Sequence, residues 1–308
     1  MRLVTFRQQN RTAPGLLIDG ERVLDLSRSL PGKGVITSLL ELVRAGGDGE
    51  AAIREAAKDA GAGAGSNSGL ALKEVRLLAP IPWPRKNVFC VGRNYVEHVA
   101  EGFRARGTEM KLPEFAQFFT KPATAVIGPE DDIPLDAEVT QKLDYEVELG
   151  VVIGRRGRNI PRERALEHVF GYTIINDVTA RDLQRRHDQW FKGKSLDGSC
   201  PMGPWLVHRS AVPEPQNLAL KLRVNGEERQ SSNTKHMIFD LRTIIASLSE
   251  GLTLEPGDVI ATGTPSGVGF AMSPPSFLKD GDVIEAEVEG IGILRNKVRK
   301  IAHEVDAG

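Results

Sequence analysis

Residues 143–153, LDYEVELGVVI, place Asp144, Glu146 and Glu148 at alternating positions inside a run whose other members are apolar. Side chains alternate along a strand, so these acids share one face while Tyr145, Val147 and Leu149 share the other. A row of like charges destabilises a strand, and a carboxylate withdrawn from water costs more still unless a positive charge meets it. A solvated edge strand is the simplest home for such a row. Here, however, the run continues into GVVIG, the pattern of an internal strand. The chain therefore has to fold around a sheet with compensated acids inside it.

At a rise of ~3.3 Å per residue, positions i and i+2 lie ~6.6 Å apart, so two glutamates can converge on one ion. A third acid, Asp177, ends the apolar run YTIIND just before a helix start. Three oxygen donors with no Cys or His beside them suit a hard cation, Mg²⁺ or Mn²⁺ with Ca²⁺ as a further option, rather than zinc. Glu146, Glu148 and Asp177 are the candidate ligands, with Asp144 as a supporting acid.

The rest of the sequence bounds what surrounds this feature. Residues 1–75 read as a small N-terminal domain, with a turn at Asp19-Gly20 and a helix from Ser38 through Ala45. The Gly-, Ala- and Ser-rich change of composition within 51–69 places the boundary near 60 to 78. Residues 78–308 are mostly short apolar or alternating runs punctuated by Gly, Pro, Asn and Asp, with occasional helices. The fold class is α+β, predominantly β. The phrases PGDVIATG and DGDVIEAEVEG read as two turn-to-strand transitions rather than a repeat. Forty basic and forty-one acidic residues leave a net charge of -1, which gives no field to recruit nucleic acid or anionic lipid. Two cysteines fit a reducing compartment, so a cytoplasmic location is expected, and no apolar stretch reaches the ~18 residues of a membrane span.

Other residues carry possible chemistry. His98 and Glu101, three apart in a short helical pattern, can form a carboxylate-oriented base or a plain surface contact. The segment FRARGTEMKLPEF that follows has the mixed charge of a lid, in which Arg104 and Arg106 suggest a substrate with a second anionic group. Lys194 sits in a GKS triplet, but a phosphate loop needs Gly at position 188, where this chain has Asp188. It is either a fixed cation for an oxyanion or a solvated lysine. Arg181 and Gln184 share one side of a helix start, suited to a carboxylate or keto oxygen or to a surface ion pair. The loop holding Thr264 can approach an anion or simply turn. Cys200, followed by Pro201 and without a His nearby in sequence, reads as structural rather than nucleophilic.

Taken in order, GRNYVEHVAE, FTKP, LDYEVELGVVIG, INDVTARDLQ, GKSLDGSCPMGPW and GDVIATGTPSGVGF closely resemble the fumarylacetoacetate hydrolase family over residues 80 to 300. The resemblance implies a mixed β-sandwich or roll behind a small N-terminal α/β domain, commonly as a homodimer. It also implies that Glu146, Glu148 and Asp177 hold a divalent metal, that His98 and Glu101 activate water, and that Lys194 is the active-site lysine. Arg181, Gln184 and Thr264 fall on substrate-contacting positions, and Lys121 lies in the KP motif. The implied substrate is a small 2-oxo acid, with no nucleic-acid or membrane partner. The leading expectation is hydrolytic C–C cleavage of a 2,4-diketo acid of acylpyruvate or fumarylpyruvate type. Oxaloacetate decarboxylation, or isomerisation or hydration of a hydroxymuconate-type diacid, would use the same site.

Overall fold

The computed structural model describes residues 1–30, 32, 34–61 and 69–301. The run that opened the analysis is internal: every residue of the strand Val147–Ile153 is buried. Its odd-numbered side chains, Val147, Leu149, Val151 and Ile153, enter one apolar cluster, while Val152 on the opposite face enters another. A strand buried on both faces needs cover on both sides, and that requirement sets the layers.

Among the described residues, Val147–Ile153 belongs to a twelve-stranded mixed sheet. Along its main path run Leu70–Ala71, Arg22–Asp25, Arg11–Ile18, Arg2–Gln8, Cys200–His208, Val169–Asn176, Val147–Ile153, Val259–Ala261, Val88–Gly92 and Gln117–Lys121. One face packs against a five-stranded sheet ordered Glu227–Asn233, Ala219–Val224, Val283–Val288, Gly292–Lys300 and Asp132–Leu135. Leu220, Leu222, Ile284, Ala286 and Leu294 from that sheet fill the space between. The other face is covered by the helices Leu39–Arg44 and Gly47–Gly61, through Leu39, Leu42, Val43 and Ile53. The N-terminal strands share this sheet with the site: Leu3 lies opposite Leu206, antiparallel.

Several expectations change in detail. The run 143–153 is not one strand. Leu143–Asp144 pairs with Thr179–Ala180 in a separate two-stranded ladder, and the large sheet takes over only at Val147. The helix of His98 runs Val96–Arg106, four residues into the segment expected to be a lid, and stops at Gly107 in the left-handed conformation (φ 65°). Glycine adopts that conformation without a Cβ penalty. The two GDVI phrases lie in different sheets, as Val259–Ala261 and Val283–Val288. No described helix is long and apolar enough to cross a membrane.

Candidate active site

Register brings the acids together. Val147 lies opposite Asn176 in an antiparallel pair, so Glu146 and Asp177 flank the next position, tied by the Asp177 amide donating to the Glu146 carbonyl at 2.9 Å. Glu148 follows two residues on, on the same side as Glu146. One ligand atom from each of the three lies within 4.8 Å of the others. Glu146, Glu148 and Asp177 are 4%, 1% and 0% exposed, which rules out the solvated-edge arrangement.

The compensation comes from three cations. Lys194 Nζ donates to Glu146 Oε2 at 2.8 Å and to Asp177 Oδ2 at 2.6 Å. Arg181 places Nη2 2.7 Å from Glu146 Oε1 and donates from Nε to Asp144 Oδ2 at 2.8 Å. Lys121 Nζ donates to Asp177 Oδ1 at 2.7 Å, to the Val178 carbonyl at 3.0 Å, and to the Lys194 carbonyl. Burial works against the ionised Glu146, but Lys194 and Arg181 outweigh it and hold its carboxyl well below the usual range. Glu148 differs: burial, with Asp177 and Glu146 beside it, pushes its carboxyl far up, and its one described donor is the Gly263 amide at 2.6 Å. Four carboxyl groups thus meet three fixed cations, and Glu148 is the one left without a counter-charge. An all-oxygen donor set with one carboxyl still lacking a counter-charge fits a hard divalent cation.

Asp144 stands apart from the other three. Besides Arg181 it accepts the amides of Gly269 and Phe270 at 2.8 and 3.0 Å, so it anchors a loop instead of facing a shared ion. Lys194 lies on the one-turn helix Phe191–Lys194, not in an open loop. Gly193 lets that helix back onto Arg181–Arg186, since a Cβ there would stand 2.4 Å from the Gln184 nitrogen.

The dyad forms as its spacing suggested. His98 Nδ1 lies 2.8 Å from Glu101 Oε1, and Glu101 Oε2 accepts the Gly267 amide at 2.8 Å. Because a carboxylate can only accept, the imidazole proton sits on Nδ1 and Nε2 keeps its lone pair. A cavity of about 330 Å³ is lined by His98, Glu146, Glu148, Arg181, Gln184, Lys194 and Thr264 together. Several expected site residues are absent from that lining: Asp177, turned to Lys121 and Lys194, and Glu101, hydrogen-bonded to His98, do not reach it. Lys121, fully buried, stands behind Asp177 and reaches no cavity wall, because its ammonium is consumed by the carboxylate and two carbonyls. Arg104 is exposed on the helix and does not line the cavity, and the Arg106 side chain lies outside the described residues. The arginines that do join Arg181 in the lining are Arg93 and Arg185. Cys200 is fully buried, and burial pushes its thiol up to about 12, so it stays protonated near neutral pH.

Two further residues went unread in the sequence. Gln230, 1% exposed, accepts the Val147 amide at 3.0 Å and donates to Thr264 Oγ1 and the Pro265 carbonyl, both at 2.8 Å. Nothing local marks it, since it acts across 83 residues of chain. Asn94 donates to the Phe239 and Thr262 carbonyls at 3.1 and 2.8 Å and fixes the turn before the His98 helix. Its position inside GRNYVEHVAE was the available signal.

A buried carboxylate cluster beside a carboxylate-braced histidine, opening on a small cavity at the ends of two central strands, defines a metal-dependent enzyme of small polar substrates. The profile described as fumarylacetoacetate (FAA) hydrolase C-terminal matches residues 87–299, and the chain belongs to that family. It is 47% identical to the oxaloacetate tautomerase YisK of Bacillus subtilis (strain 168) over 310 residues, covering 97% of this chain and 100% of the relative. A solved fumarylacetoacetate hydrolase from Exiguobacterium antarcticum is 44% identical with a TM-score of 0.81, covering 98% of this chain and 100% of the other. Maleylpyruvate hydrolase from Sphingobium sp. SYK-6, solved with manganese(II) and pyruvate, is 31% identical with a TM-score of 0.77 and the same coverage.

Proposed function

We propose that the protein interconverts the keto and enol forms of a short 2-oxo diacid of oxaloacetate type, with Glu146, Glu148 and Asp177 holding Mg²⁺ or Mn²⁺. The observation that carries this reading is the opening of His98, Glu146, Glu148 and Lys194 onto one small cavity, which sets a proton carrier beside the carboxylate cluster. The 47% identity to an oxaloacetate tautomerase along the whole of both chains supports this reaction over C–C hydrolysis, the leading expectation from sequence. A bound divalent cation would supply fixed positive charge for the carboxylate and keto oxygens of the 2-oxo acid.

The protein's own groups do the rest. His98 Nε2 takes a proton from C3 of the keto form, and Glu101, hydrogen-bonded to Nδ1, stabilises the imidazolium that results. The electron pair of the broken C–H bond moves into the C2–C3 bond and the C2 carbonyl pair moves onto oxygen. Lys194 spends two of its three N–H donors on Glu146 and Asp177, leaving the third for that oxygen. The imidazolium then gives its proton to that oxygen, directly or through a water, which completes the enol and restores neutral His98, and the reverse sequence returns the ketone. Arg181, fixed by Asp144 and Glu146, is a framework cation, while Gln184 and Thr264 present polar atoms to the bound acid.

The test follows the enol absorbance of oxaloacetate with Mg²⁺ or Mn²⁺, with EDTA as the control, and identifies products by mass. Metal-dependent decay with oxaloacetate recovered intact is expected, and His98→Asn should lower kcat by roughly 10²- to 10⁴-fold. A second reading, hydrolysis of an acylpyruvate, draws on the maleylpyruvate hydrolase likeness, because the same dyad can deprotonate water. Metal-dependent release of pyruvate from acylpyruvates, with no acceleration of the oxaloacetate enol decay, would establish that reading instead.

A further inference from the structure

Two of the cations lining the cavity, Arg93 and Arg185, have no acid partner among the described residues, and Arg185 is exposed, resting over the Phe270 ring at 5.5 Å. Lys121, Lys194 and Arg181 are each committed to carboxylates of the cluster. Arg93 lines the same cavity, half-buried, and among the described residues makes no ion pair or hydrogen bond. Asp188 shares the lining without pairing to it. What holds Arg93 is aromatic: its guanidinium carbon lies 5.3 Å from the Trp190 ring centroid and 5.8 Å from that of Phe103. Trp190 is itself braced edge-on by Phe119 at 5.6 Å.

The backbone around Arg93 is built for this pose. Arg93 sits at φ 55°, a left-handed conformation unfavourable for a residue with a Cβ. The next residue, Asn94, is fully buried and clamped by three hydrogen bonds to Phe239 and Thr262. On the other side, a Cβ on Gly92 would fall 2.2 Å from the Trp190 ring, so only glycine lets the indole reach Arg93. A strained backbone and an aromatic clamp presenting an unpaired guanidinium to a cavity make a prearranged anion site, since a guanidinium matches a carboxylate with two parallel N–H donors.

We infer that Arg93 binds the distal carboxylate of the substrate and makes the site select 2-oxo diacids over 2-oxo monoacids. The inference deepens the proposed function, and it relocates to the strand end at Gly92 the anion recognition first expected from Arg104 and Arg106 in the lid.

The test measures binding calorimetrically to the Mg²⁺-loaded full chain with two unreactive probes that differ only in the distal carboxylate, N-oxalylglycine and N-methyloxamate. The parent should bind the diacid about 10- to 100-fold more tightly, the range for a charge-assisted hydrogen-bonded pair. Arg93→Asn, chosen because asparagine tolerates positive φ, should erase that preference and leave N-methyloxamate affinity within about twofold. Arg93→Lys should retain part of the preference, and Trp190→Leu, which removes the clamp but not the charge, should weaken the diacid alone. Equal affinity of the parent for both probes, or equal loss of both in Arg93→Asn, overturns the inference. If the preference behaves as stated while oxaloacetate is not tautomerised, the reaction assignment falls and the role of Arg93 stands.

Discussion

Replacing Lys121 by Met isolates the electrostatic argument from catalysis, because this lysine does not reach the cavity. The substitution keeps an unbranched chain of similar length and deletes the ammonium. Asp177 Oδ1 then loses a donor at 2.7 Å, and the Val178 and Lys194 carbonyls lose theirs. Removing one partner of a buried ion pair costs roughly 3–5 kcal/mol, mostly from the charge left behind. Lys194 still contacts Asp177 at 2.6 Å, which places the effect at the low end, about 3 kcal/mol. At ~2.1 cal/mol/K of unfolding entropy per residue, a chain of 308 residues should show a fall in Tm of about 5 °C. The assay is thermal and urea unfolding of parent and variant, each in EDTA and in saturating Mg²⁺. The variant has four carboxylates against two cations, so its cluster attracts a divalent ion more strongly, and its Mg²⁺-induced rise in Tm should exceed the parent's. Equal stability of variant and parent in EDTA, or a smaller Mg²⁺ response in the variant, would refute the charge count.

Glu148→Gln should behave in the opposite sense: it removes a carboxylate that its surroundings push toward protonation, so the metal-free protein should be as stable as the parent or more so. Its Mg²⁺- or Mn²⁺-induced stabilisation, about 2.7 kcal/mol for a parent at one hundred times the dissociation constant, should vanish, and with it the rise in Tm. Gly92→Ala should displace Trp190 and cost about 1–3 kcal/mol in urea unfolding, with indole fluorescence shifting because the ring loses its seat. Asp240 accepts the Thr243 amide at 2.8 Å at the start of the helix Leu241–Ser249, so Asp240→Ala should cost about 1 kcal/mol. Although burial works against its ionised form, hydrogen bonds to Thr243 and the Arg162 guanidinium hold the Asp240 carboxyl below its ordinary value of 3.8. Its contribution should therefore be complete above about pH 4 and lost as the pH falls through the lowered value, so parent and variant unfolding curves converge in acid.

The acidic constellation was legible because it rests on local rules. A period of two puts Glu146 and Glu148 on one side, and an acid closing an apolar run puts Asp177 at a strand end. The break between Asp144 and Glu146 was not, because it is imposed from afar, by Arg181 thirty-seven residues on and by the Gly269 amide 125 residues on. The helix of His98 was seen but ended too early, although Gly107 marked the stop. The anion-recognising arginine was sought in the charged segment after that helix, where local composition pointed. Arg93 acquires its character only when Phe103 and Trp190, ten and ninety-seven residues away, close around it. Burial of the strand on both faces followed from its uninterrupted apolar run, whereas the sharing of one sheet with the N-terminal strands depended on the pairing of Leu3 with Leu206.

One loop, residues 263–270, donates backbone amides to acids from three separate places: Gly263 to Glu148, Gly267 to Glu101, and Gly269 and Phe270 to Asp144. It works as a jig. Any displacement of it moves the Glu101 brace of His98 and the strand bearing Glu148 at the same moment, so neither can be retuned alone. Divergence toward new substrates is thereby steered to Gly92, Arg93 and Trp190, which donate nothing to these acids and can change the shape and charge offered to a ligand.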